Sequence, residues 1–408
     1  MRNWKINLAA SWVAQFLCIA GFNSAFPYIP FYIRELGITD LHQVELWAGL
    51  LASGAAISMA VVSPIWGVLA DRYGRKLMVE RAAFGGAIIM TAMAFATSVQ
   101  QLFVLRILQG VFTGTIPAFV TLVASFVPTS EVGFSLGMMQ VAVYAGSSVG
   151  PMIGGLVADH WGYRWAFAAT GLLLFLAGLL VYAIVQENFV RPEKRRADKM
   201  FGAGMRTIFS SLPVLGAILT LGGIYMANST PAPVLSLFVE TLTPEASRIN
   251  TITGSVYGVN AVASAIAAAL IGRLSDRKGY RRILIACSLG AGLMYLAQGF
   301  SPSVMVLMAV SVATGFFTGG LLPTANSILA RTAPADQQGI IYGISNSVNA
   351  VGRAVGPMLG AGAATALGLR GTFAVTAAIF GIVTGWTLLV SQRDSKELLE
   401  RPSQSPTR

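Results

Sequence analysis

The amino-acid sequence predicts an all-α membrane protein in which twelve transmembrane helices form two six-helix parallel pseudo-repeats. Three observations carry this. Of 408 residues, 55% are apolar and only 11% are charged, where a soluble domain carries about 25% charged residues. The apolar residues fall in runs that reach the roughly 18 residues needed to read as membrane-spanning helices. Short motifs also recur 205 or 206 residues apart, half the chain.

The first run, 8–33, is too long and too closely followed by others to be a cleaved leader. The second, 46–69, leads into GVLADRYGRK, Gly67 to Lys76. Runs 79–98 and 102–127 follow, the latter with Arg106 about one turn in. Run 134–157 contains GSSVGPMIGG, Gly146 to Gly155. In water a helix interior loses about 3 kcal/mol for a proline and about 1 for a glycine, so this segment needs a reason. Run 165–186 completes six, and the hydrophilic QENFVRPEKRRADKMFGAGMR, Gln186 to Arg206, reads as a cytoplasmic linker. Runs 207–238, 251–272, 283–300, 303–329, 338–364 and 371–391 complete twelve, numbered span 1 to span 12. The expected organisation is an N-terminal bundle over 1–186, the linker over 187–206, a C-terminal bundle over 207–391 and a cytoplasmic tail over 392–408.

The halves align in register. GVLADRYGRK returns as GRLSDRKGYR, Gly272 to Arg281, at offset 205. At offset 206, Pro117 matches Pro323, Pro128 matches Pro334, and Gly150-Pro151 matches Gly356-Pro357. GRAVGPMLGA, Gly352 to Ala361, thereby repeats the glycine–proline segment of span 5 in span 11. Two halves of the same orientation are related by an axis along the membrane normal, with a substrate site at their interface.

Charge orients the chain. With a cytoplasmic N-terminus, 22 of the 28 Lys and Arg lie on the cytoplasmic side, which places both termini inside by the positive-inside rule. The net charge of +11 is therefore an orientation signal with an affinity for anionic lipid headgroups, and nucleic acid is not an expected partner. Cys18 and Cys287 sit inside predicted helices, so no disulfide framework is indicated. No HExxH or His/Cys ligand pattern occurs; no metal, no cofactor and no enzymatic activity are expected.

GVLADRYGRK resembles the loop 2–3 signature of the major facilitator superfamily, LRILQG (Leu105 to Gly110) its arginine motif in span 4, and GSSVGPMIGG the span 5 pattern GxxxGPxxGG of its twelve-helix drug–proton antiporters. The resemblance covers essentially the whole chain. It implies a multi-pass protein of the cytoplasmic (inner) membrane that works as a monomer and exports small hydrophobic or amphipathic substrates against protons by alternating access.

The same resemblance implies roles for residues. Asp71 ends span 2, where the helix dipole disfavours negative charge. With Gly67, Arg72, Gly74 and Arg75 it is expected to latch span 2 against span 11 in one conformation. Asp276, Arg277 and Gly279 are the second copy; a plain solvated basic loop is the alternative. Arg106 at membrane depth is expected to face the interior or a watery cavity, with a role in coupling or substrate contact, or else to snorkel to the interface. Arg353 replaces Ser147 of the first copy and would pair with an anionic substrate, a lipid phosphate or Asp71, or else serve a structural role at the cytoplasmic end.

Spans 1, 4, 7 and 10 line the cavity in this superfamily. That nominates Phe22, Asn23 and Phe26; Gln109, Phe112 and Thr113; Tyr225, Met226 and Asn228; and Phe316 and Asn326. Gln140 and Tyr144 in span 5 and Tyr257 and Asn260 in span 8 join them. Such a pocket, aromatic with a few amides, suits bulky apolar molecules. Gly146, Gly150 and Gly154 share one helix face with Pro151 beside it, as do Gly352, Gly356 and Gly360 with Pro357. Each set is expected to form a bent hinge surface on which the halves slide. All 17 Asp and Glu are expected in loops, linker, tail or helix ends: Glu35 and Glu45 at outer ends, Glu80 at an inner one. A membrane lipid–facilitating or anion-exporting role using Arg106 and Arg353 as counter-ions stands as the second reading.

Overall fold

The computed structural model describes residues 4–187, 206–243, 248–334 and 337–400, with the side chains of Asp71, Thr129, Gln338, Gly339 and 391–400 outside the described set. The described residues are mostly helical: α1 Trp4–Ala25, α2 Ile29–Glu35, α3 Leu41–Tyr73, α4 Arg75–Ala94, α5 Val99–Phe112, α6 Thr115–Phe126, α7 Val132–Trp161, α8 Tyr163–Ile184, α9 Leu212–Ser229, α10 Leu235–Leu242, α11 Ile249–Lys278, α12 Tyr280–Gly299, α13 Val304–Thr332, α14 Gln338–Leu367 and α15 Leu369–Glu400. Most of the linker, at 188–205, lies outside the described residues. Helix α15 continues to Glu400, so the expected tail begins as helix.

Eleven helical segments among the described residues are long and apolar enough to cross a membrane. They coincide with eleven of the twelve predicted spans. The twelfth, α14, is also 30 residues long, but its glycines and Arg353 lower its hydropathy.

Three predicted spans are interrupted. Span 1 turns through Phe26–Tyr28, where Pro27 starts a 3-10 turn and Pro30 opens α2. Span 7 breaks between α9 and α10, around Pro231 and Pro233. Span 4 breaks at Thr113–Gly114, with Gly114 at φ +108°, a conformation open mainly to glycine. Pro117 has no N–H for the Thr113 carbonyl, and Arg81 of α4 donates to that carbonyl instead, Nη2 to O 3.4 Å. In the second half Ala286 stands 205 residues beyond Arg81 and has no side-chain donor. There α13 runs unbroken through Pro323.

The packing repeats as the sequence does. In the first half α1 packs on α7 and α8, α3 on α5, and α4 on α8. In the second, α9 packs on α14 and α15, α11 on α13, and α12 on α15. One hydrophobic core runs from Leu8 to Val185 and takes in Leu237; a second runs from Ile208 to Val383. The halves meet along two helix crossings, α7 with α11 and α3 with α14.

Those crossings hold at one end only. At the end carrying Arg34 and Asp159, backbones touch: a side chain at Gly254 would strike the Pro151 carbonyl, and one at Gly49 would strike Ala361 and the Pro357 carbonyl. At the GVLADRYGRK end, Gly67, Gly133, Gly137, Gly272 and Gly343 have open space where a side chain would stand. The same four helices have separated there. The molecule is sealed at one end and open at the other.

Candidate functional site

Arg106 is the most deeply buried cation among the described residues. It is 5% exposed and held on three sides. Its Nε donates to the Leu51 carbonyl at 3.2 Å and its Nη1 to Gln109 Oε1 at 2.7 Å. The guanidinium lies over the Phe26 ring, 4.2 Å from its centroid. Gly110 makes this possible: a side chain there would strike Ser58 and the Ala55 carbonyl, so α5 can press against α3. The residue faces inward and does not snorkel. Arg353, on α14, lies over Tyr225 of α9 at 4.3 Å and is half-buried. Neither arginine forms an ion pair among the described residues.

The other nominated cavity residues separate into groups. Phe26 and Gln109 surround Arg106, and Tyr225 lies under Arg353. Asn23 reaches Ser147 of α7 at 3.5 Å. Tyr144, Met226 and Asn228 are half-buried. Phe22 instead turns into the core towards Gly86, and Phe112 packs on Gly85 of α4. Thr113 forms the break in span 4. Tyr257 donates to the Ala232 carbonyl at 3.2 Å, and Asn260 holds α11 to α13 through the Ser311 carbonyl at 3.0 Å. Gln140 and Asn326 are exposed, as is Phe316 at 42%.

The glycine faces occupy a different place from the one expected. Gly146, Gly150 and Gly154 press on Phe16, Ile19, Ala20 and Ser24 of α1, within the first half. Gly352, Gly356 and Gly360 press on Gly222, Met226, Ser229 and Thr230, within the second. They lock α7 to α1 and α14 to the α9 end of its own bundle, so they stiffen each half and do not form the surface between halves. The surface between halves is the adjoining face. There Tyr28 Oη donates to the Asn250 carbonyl at 3.1 Å, the Pro151 carbonyl meets Gly254, the Pro357 carbonyl meets Gly49, and Gly155 meets Asn250.

The loop motifs sit at the open end. Gly74 and Gly279, at φ +103° and +92°, turn the chain into α4 and α12. Glu187 caps α4, accepting from the Arg75 and Lys76 N–H at 3.0 and 2.8 Å. Arg72 lies over Tyr73 at 5.3 Å, and Arg277 is exposed. Asp276 accepts from Tyr280 Oη, which accepts from Arg331 Nη2 at 3.0 Å. The Asp71 side chain lies outside the described residues, and its latch is carried forward as a proposal. Glu80 pairs with Lys76 at 3.5 Å, while Arg81 stacks on Trp66 at 3.5 Å.

At the sealed end the structure reveals groups that sequence reasoning passed over. Arg34 Nη1 lies 2.7 Å from both carboxylate oxygens of Glu240, joining α2 to α10. Asp159 of α7 receives four donors from the start of α11: the Asn250 and Thr251 N–H at 3.2 and 2.8 Å, Asn250 Nδ2 at 2.8 Å and Thr251 Oγ1 at 2.6 Å. A carboxylate at a helix N-terminus is favoured by both dipole and free N–H groups. Glu45, expected at an outer helix end, is 2% exposed in the α3–α14 crossing. The repeat offset was the available signal, since Arg34 and Glu240 stand 206 apart, as do Asp159 and Thr365.

A family model described as Major Facilitator Superfamily matches residues 11–246 and 217–407. The chain is 34% identical over 381 residues to multidrug resistance protein MdtG of Klebsiella pneumoniae, covering 92% of this chain and 91% of that protein. It is 34% identical over 397 residues to MdtG of Salmonella typhimurium, covering 96% and 97%. Among solved structures it is similar to a bacterial homologue of the human lysosomal transporter Spinster in an inward-facing, unoccupied conformation. That match has a TM-score of 0.79 at 15% identity, over 99% of this chain and 100% of the other. The human organic anion transporter MFSD10 superposes with a TM-score of 0.72 at 17% identity, over 95% and 100%.

Proposed function

The chain belongs to the major facilitator superfamily, and from that premise we propose that this multi-pass membrane transporter exports small hydrophobic or amphipathic drug-like compounds in exchange for protons. The observation that carries the reading is the asymmetry of the two ends: helices that touch at one end of each crossing stand apart at the other, as alternating access requires. The positive-inside distribution assigns the open end and both termini to the cytoplasm, and likeness to bacterial MdtG proteins supports a place in the inner membrane. End-to-end identity to proteins named for multidrug resistance supports the substrate class, as do the rings of Phe26 and Tyr225 beside the two buried or half-buried arginines. The protein acts as a monomer within its lipid bilayer.

Transport then proceeds by rocking. Substrate enters between the halves from the cytoplasmic opening; the Asp71 and Asp276 motifs latch the inner ends together as the sealed end parts; substrate leaves outward. The rigid glycine contacts within each half make the halves move as bodies, so the changes concentrate at the α7–α11 and α3–α14 crossings.

A second reading, export of an anionic metabolite or a lipid, has a specific observation in its favour. Arg106 and Arg353 are bound to amides, carbonyls or rings and have no carboxylate partner among the described residues. Positive charge in a low-dielectric cavity attracts an anion. Transport in proteoliposomes under an imposed pH gradient, with cationic, neutral and anionic amphiphiles, separates the readings. Uptake indifferent to the gradient rejects proton antiport. A preference for anions that disappears in Arg353→Ala selects the second reading.

A further inference from the structure

We propose that Glu45 is a proton-binding site of the outer gate: the α3–α14 crossing closes with this carboxyl protonated and opens when it ionises. The inference rests on the alternating-access reading only for the existence of two states.

Glu45 lies one turn into α3, 2% exposed, where the Gly49 backbone meets Pro357 and Ala361 of α14. Among the described residues its one partner from the other half is Thr365, whose Oγ1 stands 3.4 Å from Glu45 Oε2. That hydroxyl has a single hydrogen, and its better acceptor is the Ala361 carbonyl at 2.9 Å. With the hydrogen committed there, Thr365 presents a lone pair to Glu45. A neutral carboxyl can donate to that lone pair, whereas an ionised one has acceptors only. Burial of a carboxylate whose one charge partner is an exposed histidine 3.8 Å away is unfavourable, so the closed crossing selects the protonated form.

Among the described residues no fixed counter-charge faces it. His42, on the same helix, is 3.8 Å away and largely exposed, and Asp40, at the start of that helix, adds a like charge. From α5, Arg106 is engaged by Leu51, Gln109 and Phe26. From α2, Arg34 is held by Glu240 and Glu35 lies against Arg164. From α14 comes Thr365 alone among the contacts of Glu45 described.

The other crossing makes the contrast. Asn250 stands 205 residues beyond Glu45, and Thr365 stands 206 beyond Asp159, so the two crossings are equivalent sites. At the α7–α11 crossing the carboxylate of Asp159 receives four donors, two of them backbone N–H groups at a helix N-terminus. It is satisfied as an anion. At the α3–α14 crossing the carboxyl faces a hydroxyl already spent. One crossing is built for a permanent charge and the other for a proton. Acid outside would load Glu45 in the outward-open state and favour closure, which gives an inward proton gradient a direct hold on the gate.

The test uses the full chain in lipid nanodiscs without substrate, with nitroxide labels at Leu41→Cys and Leu367→Cys on the outer ends of α3 and α14. Pulsed electron resonance reads the short and long distances from pH 5 to pH 9. The ratio of open to closed is expected to rise with pH, by up to about tenfold per pH unit across the titration of one group. Glu45→Gln is expected to stay closed throughout, Glu45→Asp to keep a pH response, and Asp159→Asn to open further while retaining one. A pH response in Glu45→Gln equal to that of the wild type overturns the proposal, as does a flat wild type. Gradient-driven uptake intact beside a flat gate response removes Glu45 and leaves antiport. A titrating gate beside gradient-independent uptake removes antiport and leaves Glu45.

Discussion

Asp159 concentrates more of the seal between halves than any other described side chain. Hydrogen bonds to charged groups contribute about 1.5–3 kcal/mol each when a partner is removed, and Asp159→Ala also strips the cap of α11. The outward-open population is therefore expected to grow roughly ten- to a hundredfold, read as faster labelling, by a thiol reagent added outside, of Ser148→Cys at the same α7–α11 crossing. Unchanged labelling would show that the seal lies elsewhere. Arg106 is subject to a different demand. Lysine keeps the charge but cannot span the Leu51 carbonyl and Gln109 while stacking on Phe26. Arg106→Lys should lower transport about tenfold or more with normal yield of folded protein. The sequence narrowed Arg106 to two orientations, inward or snorkelling, because a guanidinium at membrane depth has few other places, and the close packing of α5 on α3 decides between them. The burial of Glu45 was not, because a position one turn from a helix start looks solvated until the partner helix that crosses it is known.

At the scale of elements, the break in span 4 is a local decision. Gly114→Ala places a β-carbon on a left-handed residue, at a cost of about 1–2 kcal/mol, and Arg81→Ala frees the Thr113 carbonyl. Each is expected to lower the melting temperature in detergent, and the double variant to lower it by less than the sum, since both act on one turn. The glycine faces give a second prediction. Gly150→Leu would drive a side chain into the Ala20 backbone, so it should reduce the folded fraction outright, seen as loss of a monodisperse peak. A well-folded variant that failed only in transport would return these glycines to the sliding surface first expected of them. Long apolar runs made the helices legible. The three interruptions were less so, because hydropathy averages over a run and passes through a kink, although Pro27, Pro30, Pro231 and Pro233 marked two of them.

At the scale of the molecule, the twofold plan could be read from the repeat offset, but the conformation could not. Both states share one sequence, and the difference lies in which ends of four helices touch. Here the Arg34–Glu240 end is shut. A short thiol-reactive cross-link between Arg34→Cys and Glu240→Cys should hold it shut and abolish transport, with a reducible linker restoring it on reduction. The native Cys18 and Cys287 are buried and leave a quiet background. Transport that survives the cross-link would require a route that never opens this end.

The charges at the sealed end also tell the halves apart. Arg34, Glu45 and Asp159 belong to the first half; their partners Glu240, Thr365, Asn250 and Thr251 belong to the second. Because the partners occupy equivalent positions in the repeat, two first halves brought together would set Arg34 against Arg34 and leave Asp159 without the donors of Asn250 and Thr251. Two second halves would set Glu240 against Glu240. Like charges at a closing surface repel, so the internal symmetry is that of a mated pair rather than of twins. Cut at the linker and produced as separate chains, the halves should find each other in preference to themselves.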